Sequence, residues 1–125
     1  MDLLDQALFA QIVEMRRELH RHPELSWKET RTASRICEFL EDLGIAYRRD
    51  VAGTGVLAEI PAANDAPAIA LRADIDALPI HEETGLPFAS KVDGVMHACG
   101  HDGHVSMLLG AAALLRRKRI REPLG

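Results

Sequence analysis

The spacing of apolar residues along the chain predicts three amphipathic helices. The first covers residues 3–20, and it should end near His22 because the proline that follows disfavours helical geometry in the residue before it. The third covers about residues 103–119, where apolar residues again recur every three or four positions. The chain is therefore expected to be helical near both of its ends.

The second helix is predicted to begin at a capping box. Ser26 precedes Glu29 by three residues, which is the spacing at which each side chain can bond to the backbone N–H of the other. The helix should run to about Leu43, with Gly44 just past its end, where a left-handed backbone is common. Its inward face is expected to carry Ala33, Ile36, Cys37 and Leu40.

Between the second and third helices the pattern changes to that of strands. Residues 45–51 and 56–60 flank the turn at residues 53–55, and they are expected to pair as a hairpin. Residues 68–71 form a continuous apolar run, which is typical of a strand buried on both faces. Residues 77–96 contain recurring Pro and Gly and should form a long irregular loop. The elements together indicate an α/β fold.

Composition and charge narrow the class of protein. The 125 residues suffice for about one domain, and 47% hydrophobic with 27% charged residues is typical of a soluble globular protein. The net charge of -4 gives no general attraction to nucleic acid or to an anionic membrane, so neither is expected as a partner. Two cysteines are too few for a disulfide framework, and the acidic N-terminus lacks the features of a secretion signal. A cytoplasmic location is expected.

The densest group of metal-binding side chains lies in residues 96–104, which read Met-His-Ala-Cys-Gly-His-Asp-Gly-His. Thiolate and imidazole groups are ligands of zinc-class ions. Because alternate residues of an extended segment project to the same side, His97, Cys99 and His101 are expected to converge. His104 would border the same site from the first turn of the third helix. The alternative is a polar loop whose histidines cap that helix.

A second, acidic cluster follows the apolar run at residues 68–71. Asp74 and Asp76 should lie on one side of the chain at the carboxyl end of the strand, where open α/β sheets usually place their active sites. A carboxylate there can ligate a metal ion or orient another ligand. Arg72 can neutralise one carboxylate or bind a carboxylate of the substrate. The alternative is a turn in which the aspartates cap backbone N–H groups.

Four ordered segments resemble the metal-dependent amidohydrolases and peptidases that include hippurate hydrolase, N-acyl-amino-acid amidohydrolases and indole-3-acetyl-amino-acid hydrolases. They are residues 16–26, 72–80, 81–88 and 96–104. The resemblance implies the N-terminal portion of a three-layer α/β/α metallopeptidase-type catalytic domain. It also implies two divalent ions at a complete site, either zinc, manganese, cobalt or nickel. The implied substrate is a small N-acyl amino acid whose amide bond is hydrolysed.

The resemblance also implies roles for individual residues. Cys99 would ligate or bridge the metal ions, His101 would ligate one of them, and Asp74 would be the acidic residue that orients the site. Further candidates for secondary roles are Asp76, His97, His104 and Arg72. His20 and His22 belong to a segment shared with the family but have no implied ligand role. Helix-terminal polar contacts are the simpler interpretation for both.

The chain departs from the family pattern after residue 115. In the family, a Glu-Glu-Gly type motif supplies the general base and a further ligand, and more histidine ligands follow; this sequence contains none of them. Residues 1–125 are therefore expected to be an N-terminal fragment of the catalytic domain, inactive or impaired, without the dimerisation domain through which relatives often form homo-oligomers. A small zinc-binding or interaction module without catalysis is the alternative. Exposed apolar surface and aggregation are also expected.

Overall fold

The computed structural model of the chain describes residues 4–62 and 64–121. Its elements, in chain order, are α1 (Gln6–Arg21), α2 (Thr30–Asp42), β1 (Ala46–Val51), β2 (Gly55–Glu59) and α3 (His101–Arg121). The predicted order of helices and hairpin is confirmed. None of the helices within the described residues is long and apolar enough to cross a membrane.

Helix α1 ends near His22, as its sequence predicts, but it begins at Gln6 rather than at residue 3. Its first turn is capped by Asp5, whose carboxylate accepts a hydrogen bond of 2.7 Å from the backbone N–H of Leu8. The helix ends at His22, whose N–H donates back to the carbonyls of Glu18 and Leu19, directly before Pro23. The apolar face is buried through Leu8, Met15 and Leu19.

The predicted capping box of α2 is wrong. Ser26 lies four residues before the first residue of the helix, and Glu29, at the cap position, makes no capping bond with its side chain. Glu24 replaces them: its carboxylate accepts from the backbone N–H groups of Thr32 at 2.6 Å and Arg31 at 3.1 Å. A glutamate from the preceding loop thus satisfies donors that the helix leaves unpaired, a role that local spacing does not reveal.

The predicted hairpin is confirmed. Gly44 ends α2 with a φ of +69°, a left-handed conformation that glycine adopts without steric cost. Strands β1 and β2 then pair antiparallel, with Ala46 opposite Glu59. The register shifts between Arg48 and Val51, which marks a bulge near the turn.

One apolar core joins the three helices to the hairpin. Its buried members are Met15, Leu19, Ile36, Phe39, Leu40, Ile45, Val105 and Leu109. Helices α1 and α3 approach each other closely at Gly110, where an added Cβ would lie 2.5 Å from Cδ1 of Ile12. The packing of α3 on α1 fixes where the first turn of α3, which contains the end of the candidate motif at residues 96–104, lies against the rest of the molecule.

The prediction of a buried strand at residues 68–71 is wrong. The segment belongs to no strand, and the side chains of Ile69 and Leu71 are 90% and 61% exposed. Between it and β2 lies an apolar groove of about 280 Å³. Helices α2 and α3 contribute to the groove through Ile36, Leu40, Leu108, Leu109, Ala112 and Leu115. The run has the composition of a buried strand, but no neighbouring strand within the described residues covers it.

Residues 77–96 form the irregular loop that the sequence predicts. Two isolated bridges attach its start to the rest of the chain, one joining Leu25 to Ala77 and the other joining Leu78 to Met96. The loop therefore returns to its own beginning before it enters the segment that precedes α3.

Candidate metal centre

The ring of His101, the first residue of α3, is held from one side. Its Nδ1 lies 2.9 Å from the backbone carbonyl oxygen of Asp76 and 3.0 Å from Oδ1 of the same residue. Two acceptors at Nδ1 favour the tautomer that carries its proton there, and Nε2 is then the nitrogen available to a metal ion. Nε2 faces Asp74, whose Oδ2 is 4.0 Å away.

The two aspartates are held by different partners. Asp76 accepts a hydrogen bond of 3.1 Å from the hydroxyl of Ser26. Asp74 accepts one of 2.7 Å from Arg72, whose side chain is 86% exposed, so that water screens this ion pair. The structure therefore brings Asp74, Asp76 and His101 together, with Asp76 in direct contact with the ring.

Cys99 is the accessible thiol of the chain. It is exposed and free, two residues before His101, whereas Cys37 is buried and its burial raises the pKa of its thiol. The ring of His104, also exposed, lies 6.0 Å from that of His101 between centroids. An exposed thiol and an imidazole with an available nitrogen are chemically suited to a zinc-class ion. Within residues 4–62 and 64–121, however, no three His, Cys, Asp or Glu side chains are arranged to hold one, so the ligand set is partial.

His97 does not join this group. Its side chain is buried, and within the described part of the chain neither ring nitrogen has a hydrogen-bond partner. Burial lowers its pKa, and its ring lies 6.5 Å from that of His20. The expected convergence of His97 with Cys99 and His101 is therefore not found. Gly100 has a φ of +81°, so the backbone between Cys99 and His101 is not the extended one on which the expected alternation depends.

A buried polar cluster lies next to the candidate ligands. It consists of Arg16 and His20 on α1, Glu82 in the long loop, and Asp102 in the first turn of α3. Nδ1 of His20 is 2.8 Å from Oδ2 of Asp102, which also accepts a hydrogen bond of 2.9 Å from Nε of Arg16. Nε2 of His20 is 2.9 Å from Oε1 of Glu82, an ion-pair distance without the angles of a hydrogen bond. For His20 the sequence indicated helix-terminal polar contacts; the contacts found are polar, and they reach the long loop and α3.

Two features of the sequence could have indicated this cluster. Arg16 and His20 are four residues apart, and they therefore share one face of α1 with each other. Met15 and Leu19, which directly precede them in the sequence, are buried. A basic pair so close to the core is expected to have acidic partners in the interior. The helix-terminal role belongs instead to His22, whose backbone N–H ends α1.

The carboxylate of Glu82 connects separate parts of the long loop with each other and with α1. Burial raises the pKa of this carboxyl group, but hydrogen bonds from the Thr84 hydroxyl and the Ser90 N–H, together with the charge of His20, outweigh burial, and the net pKa is lowered. The bond from Ser90 measures 2.9 Å. The carboxylate is therefore retained in its charged form inside the molecule.

A cavity of about 430 Å³ opens beside the aspartates. Arg72, Asp74 and Asp76 line it, together with Trp27, whose side chain is 74% exposed. A guanidinium group, carboxylates and an indole ring thus border one space adjoining His101. This space is large enough for a small molecule.

Residues 70–123 match the family described as Peptidase family M20/M25/M40. The chain also superposes on a crystal structure of the Bacillus subtilis YxeP protein, described as a dinuclear metal binding peptidase from the M20 family. The TM-score is 0.89 with 52% sequence identity, over 93% of this chain and 33% of that one. The chain belongs to this peptidase family. The predicted family, its α/β fold class and the divalent metal ions expected of it are confirmed.

Two curated relatives show how much of a family member is present. The chain is 53% identical over 119 residues to N-acetylcysteine deacetylase of Bacillus subtilis strain 168, covering 94% of this chain and 31% of the relative. It is 50% identical over 112 residues to IAA-amino acid hydrolase ILR1-like 2 of Arabidopsis thaliana, covering 90% of this chain and 25% of the relative. The chain thus spans less than a third of these relatives.

Proposed function

We propose that this chain supplies part of the metal site of an amidohydrolase that cleaves the amide bond of N-acyl amino acids. The observation that carries the proposal is the ring of His101, which Asp76 holds through Nδ1 so that Nε2 is left available, two residues after the exposed thiol of Cys99. The names of the relatives, a deacetylase of N-acetylcysteine and a hydrolase of an amino-acid conjugate, support this class of substrate. We infer a cytoplasmic enzyme of which this chain is the N-terminal part of the catalytic domain.

The residues of the site have distinct proposed roles. Cys99 and Nε2 of His101 would hold the ion, with Asp74 facing the same space. Asp76 orients His101 through the hydrogen bond at Nδ1. A divalent ion bound there would polarise the carbonyl of the substrate amide and lower the pKa of a bound water. Arg72 borders the adjoining cavity and is placed to bind the carboxylate of the substrate, in exchange for part of its contact with Asp74.

We expect the 125-residue chain alone to bind metal weakly and to hydrolyse substrate poorly. A catalytic zinc ion usually takes three protein ligands, and the described residues bring no such set together. Loss of a general base alone typically costs about 10²–10⁴-fold in rate. The metal site and its turnover are therefore separate parts of the proposal and require separate measurements.

Titration with Co²⁺ tests the site, because a thiolate bound to cobalt gives a charge-transfer absorption band. The band is expected with the wild-type chain and with Cys37→Ala, and it should vanish in Cys99→Ser. A band that survives Cys99→Ser would overturn the assignment. Hydrolysis of hippurate and N-acetyl amino acids with added Mn²⁺ or Zn²⁺ tests turnover. Rates near those of a full-length relative would contradict the expected impairment.

A further inference from the structure

The buried polar cluster joins three segments that are distant in the sequence. Its central residue, His20, lies near the end of α1, and its two acidic partners lie in the long loop and in the first turn of α3. The side chains of His20, Glu82 and Asp102 are all exposed by 3% or less. Asp102 directly follows His101, so whatever holds Asp102 also holds the backbone of a proposed metal ligand.

Because the side chains of His20, Glu82 and Asp102 are buried, their contacts with one another replace the hydrogen bonds that water would provide. A carboxylate removed from water is strongly destabilised unless it is paired with a cation or a hydrogen-bond donor. The other oxygen of Asp102, Oδ1, has no hydrogen-bond partner among the residues that the structure describes, so the interactions of this carboxylate there depend on Arg16 and His20 at Oδ2. Removal of the His20 contact would leave Asp102 with the single bond from Arg16, whose own side chain is 38% exposed.

A contact between two rings reinforces the same arrangement. The rings of His20 and Phe88 form a T-shaped pair, 5.7 Å apart between centroids and with an interplanar angle of 76°. The guanidinium groups of Arg16 and Arg17 lie 5.1 Å and 5.0 Å from the centre of the Phe88 ring. The long loop is therefore attached to α1 through the side chains of both Glu82 and Phe88.

We propose that His20 is a positioning residue that clamps the long loop and the first turn of α3 to α1, and thereby holds Cys99 and His101 as metal ligands. The inference rests on the proposed function for what those two ligands do. Histidine suits this role because its two nitrogens reach partners on opposite sides of one rigid ring. Partners that support metal ligands from behind typically change metal affinity about 10–100-fold when they are removed.

Two substitutions separate the two contacts. The amide of asparagine replaces Nδ1 of histidine, so His20→Asn keeps the bond to Asp102 and loses the contact with Glu82. The longer glutamine replaces Nε2, so His20→Gln keeps the contact with Glu82 and loses Asp102. Hydrogen exchange followed by mass spectrometry should show faster exchange in residues 82–96 for His20→Asn. For His20→Gln, faster exchange is expected in residues 97–106.

Cobalt affinity supplies a second readout in the same variants. His20→Gln should bind Co²⁺ about ten-fold or more weakly, while His20→Asn should stay close to wild type. His81→Gln is the matched control, because its side chain is 68% exposed and its ion pair with Asp93 is screened by water. Exchange patterns that are identical in the two His20 variants, or unchanged from wild type, would overturn the clamp. A wild-type chain that binds no cobalt through Cys99 would overturn the proposed function, and the exchange pattern would still decide the clamp.

Discussion

At the scale of single residues, the two similar aspartates differ in how they contact the ring of His101. Asp76 offers both its backbone carbonyl and its carboxylate to Nδ1, whereas Asp74 is engaged by the exposed Arg72. Because the carbonyl remains when the side chain is shortened, the ring of His101 keeps one acceptor in any Asp76 variant. The carboxylate therefore adds charge and rigidity to a ring that is already placed.

We expect Asp76→Ala to lower the affinity for Co²⁺ by about ten-fold, at the lower end of the range for such supporting groups. Asp76→Asn should retain most of the affinity, since an amide oxygen still accepts from Nδ1–H. Asp93→Ala is the control, as the side chain of Asp93 is 98% exposed. Affinity measured by the absorption titration checks all three. A loss in Asp74→Ala with none in Asp76→Ala would return the orienting role to Asp74.

The sequence indicates candidate members of this site but not the residues that support them. Cys99, His101, Asp74 and Asp76 are recognisable because their chemistry is concentrated in two short motifs. The contact between His20 and Asp102 spans 82 positions in the chain, and no local pattern encodes a pairing that only tertiary packing creates.

At the scale of elements, the contact between α1 and α3 depends on a residue without a side chain. Alanine is the better helix former by about 1 kcal/mol, which by itself favours replacement of any exposed helical glycine. At Gly110, however, a Cβ would lie 2.5 Å from Cδ1 and 3.1 Å from Cγ1 of Ile12. At Gly103, in the same helix, no such atom lies within 4 Å. Crowding against Ile12 should therefore determine the stability of Gly110→Ala, and helix propensity should determine that of Gly103→Ala.

We expect Gly110→Ala to destabilise the chain by about 1–3 kcal/mol, the usual cost of overpacking. Gly103→Ala should stabilise it by about 0.5–1 kcal/mol. The double variant Ile12→Val with Gly110→Ala should recover part of the loss, because valine lacks the Cδ1 atom that is approached most closely. Urea unfolding measures the free energies. Equal stability of the two alanine variants would show that Ile12 moves aside without cost.

The elements that the sequence predicted correctly are those whose signals are local. Helix periodicity, the glycine at the end of α2 and the turn of the hairpin all act within a few residues. The prediction of a strand at residues 68–71 failed because an apolar run indicates that its side chains favour burial but does not show which element would cover them. Whether a strand forms there depends on a neighbour, which is a property of the whole molecule.

At the scale of the whole molecule, one face carries apolar side chains that the described chain leaves uncovered. Ile69 and Leu71 border the groove from the extended segment, and Leu115, 48% exposed, borders it from α3. An extended segment outside any sheet also presents backbone groups that another chain can pair with. Contiguous apolar surface of this kind promotes association in water.

We expect the chain to associate as its concentration rises, and the double variant Ile69→Lys with Leu71→Lys to remain monomeric over the same range. Because both side chains are largely exposed, lysine at these positions should change the free energy of unfolding by no more than about 0.5 kcal/mol each. Val92→Lys controls for the added charge, since Val92 is 41% exposed in the long loop, away from the residues that line the groove. Sedimentation velocity measures the association, and thermal unfolding verifies that each variant is folded. A wild-type chain that stays monomeric throughout would mean that residues 68–71 and the groove cover each other in solution more completely than their exposure indicates.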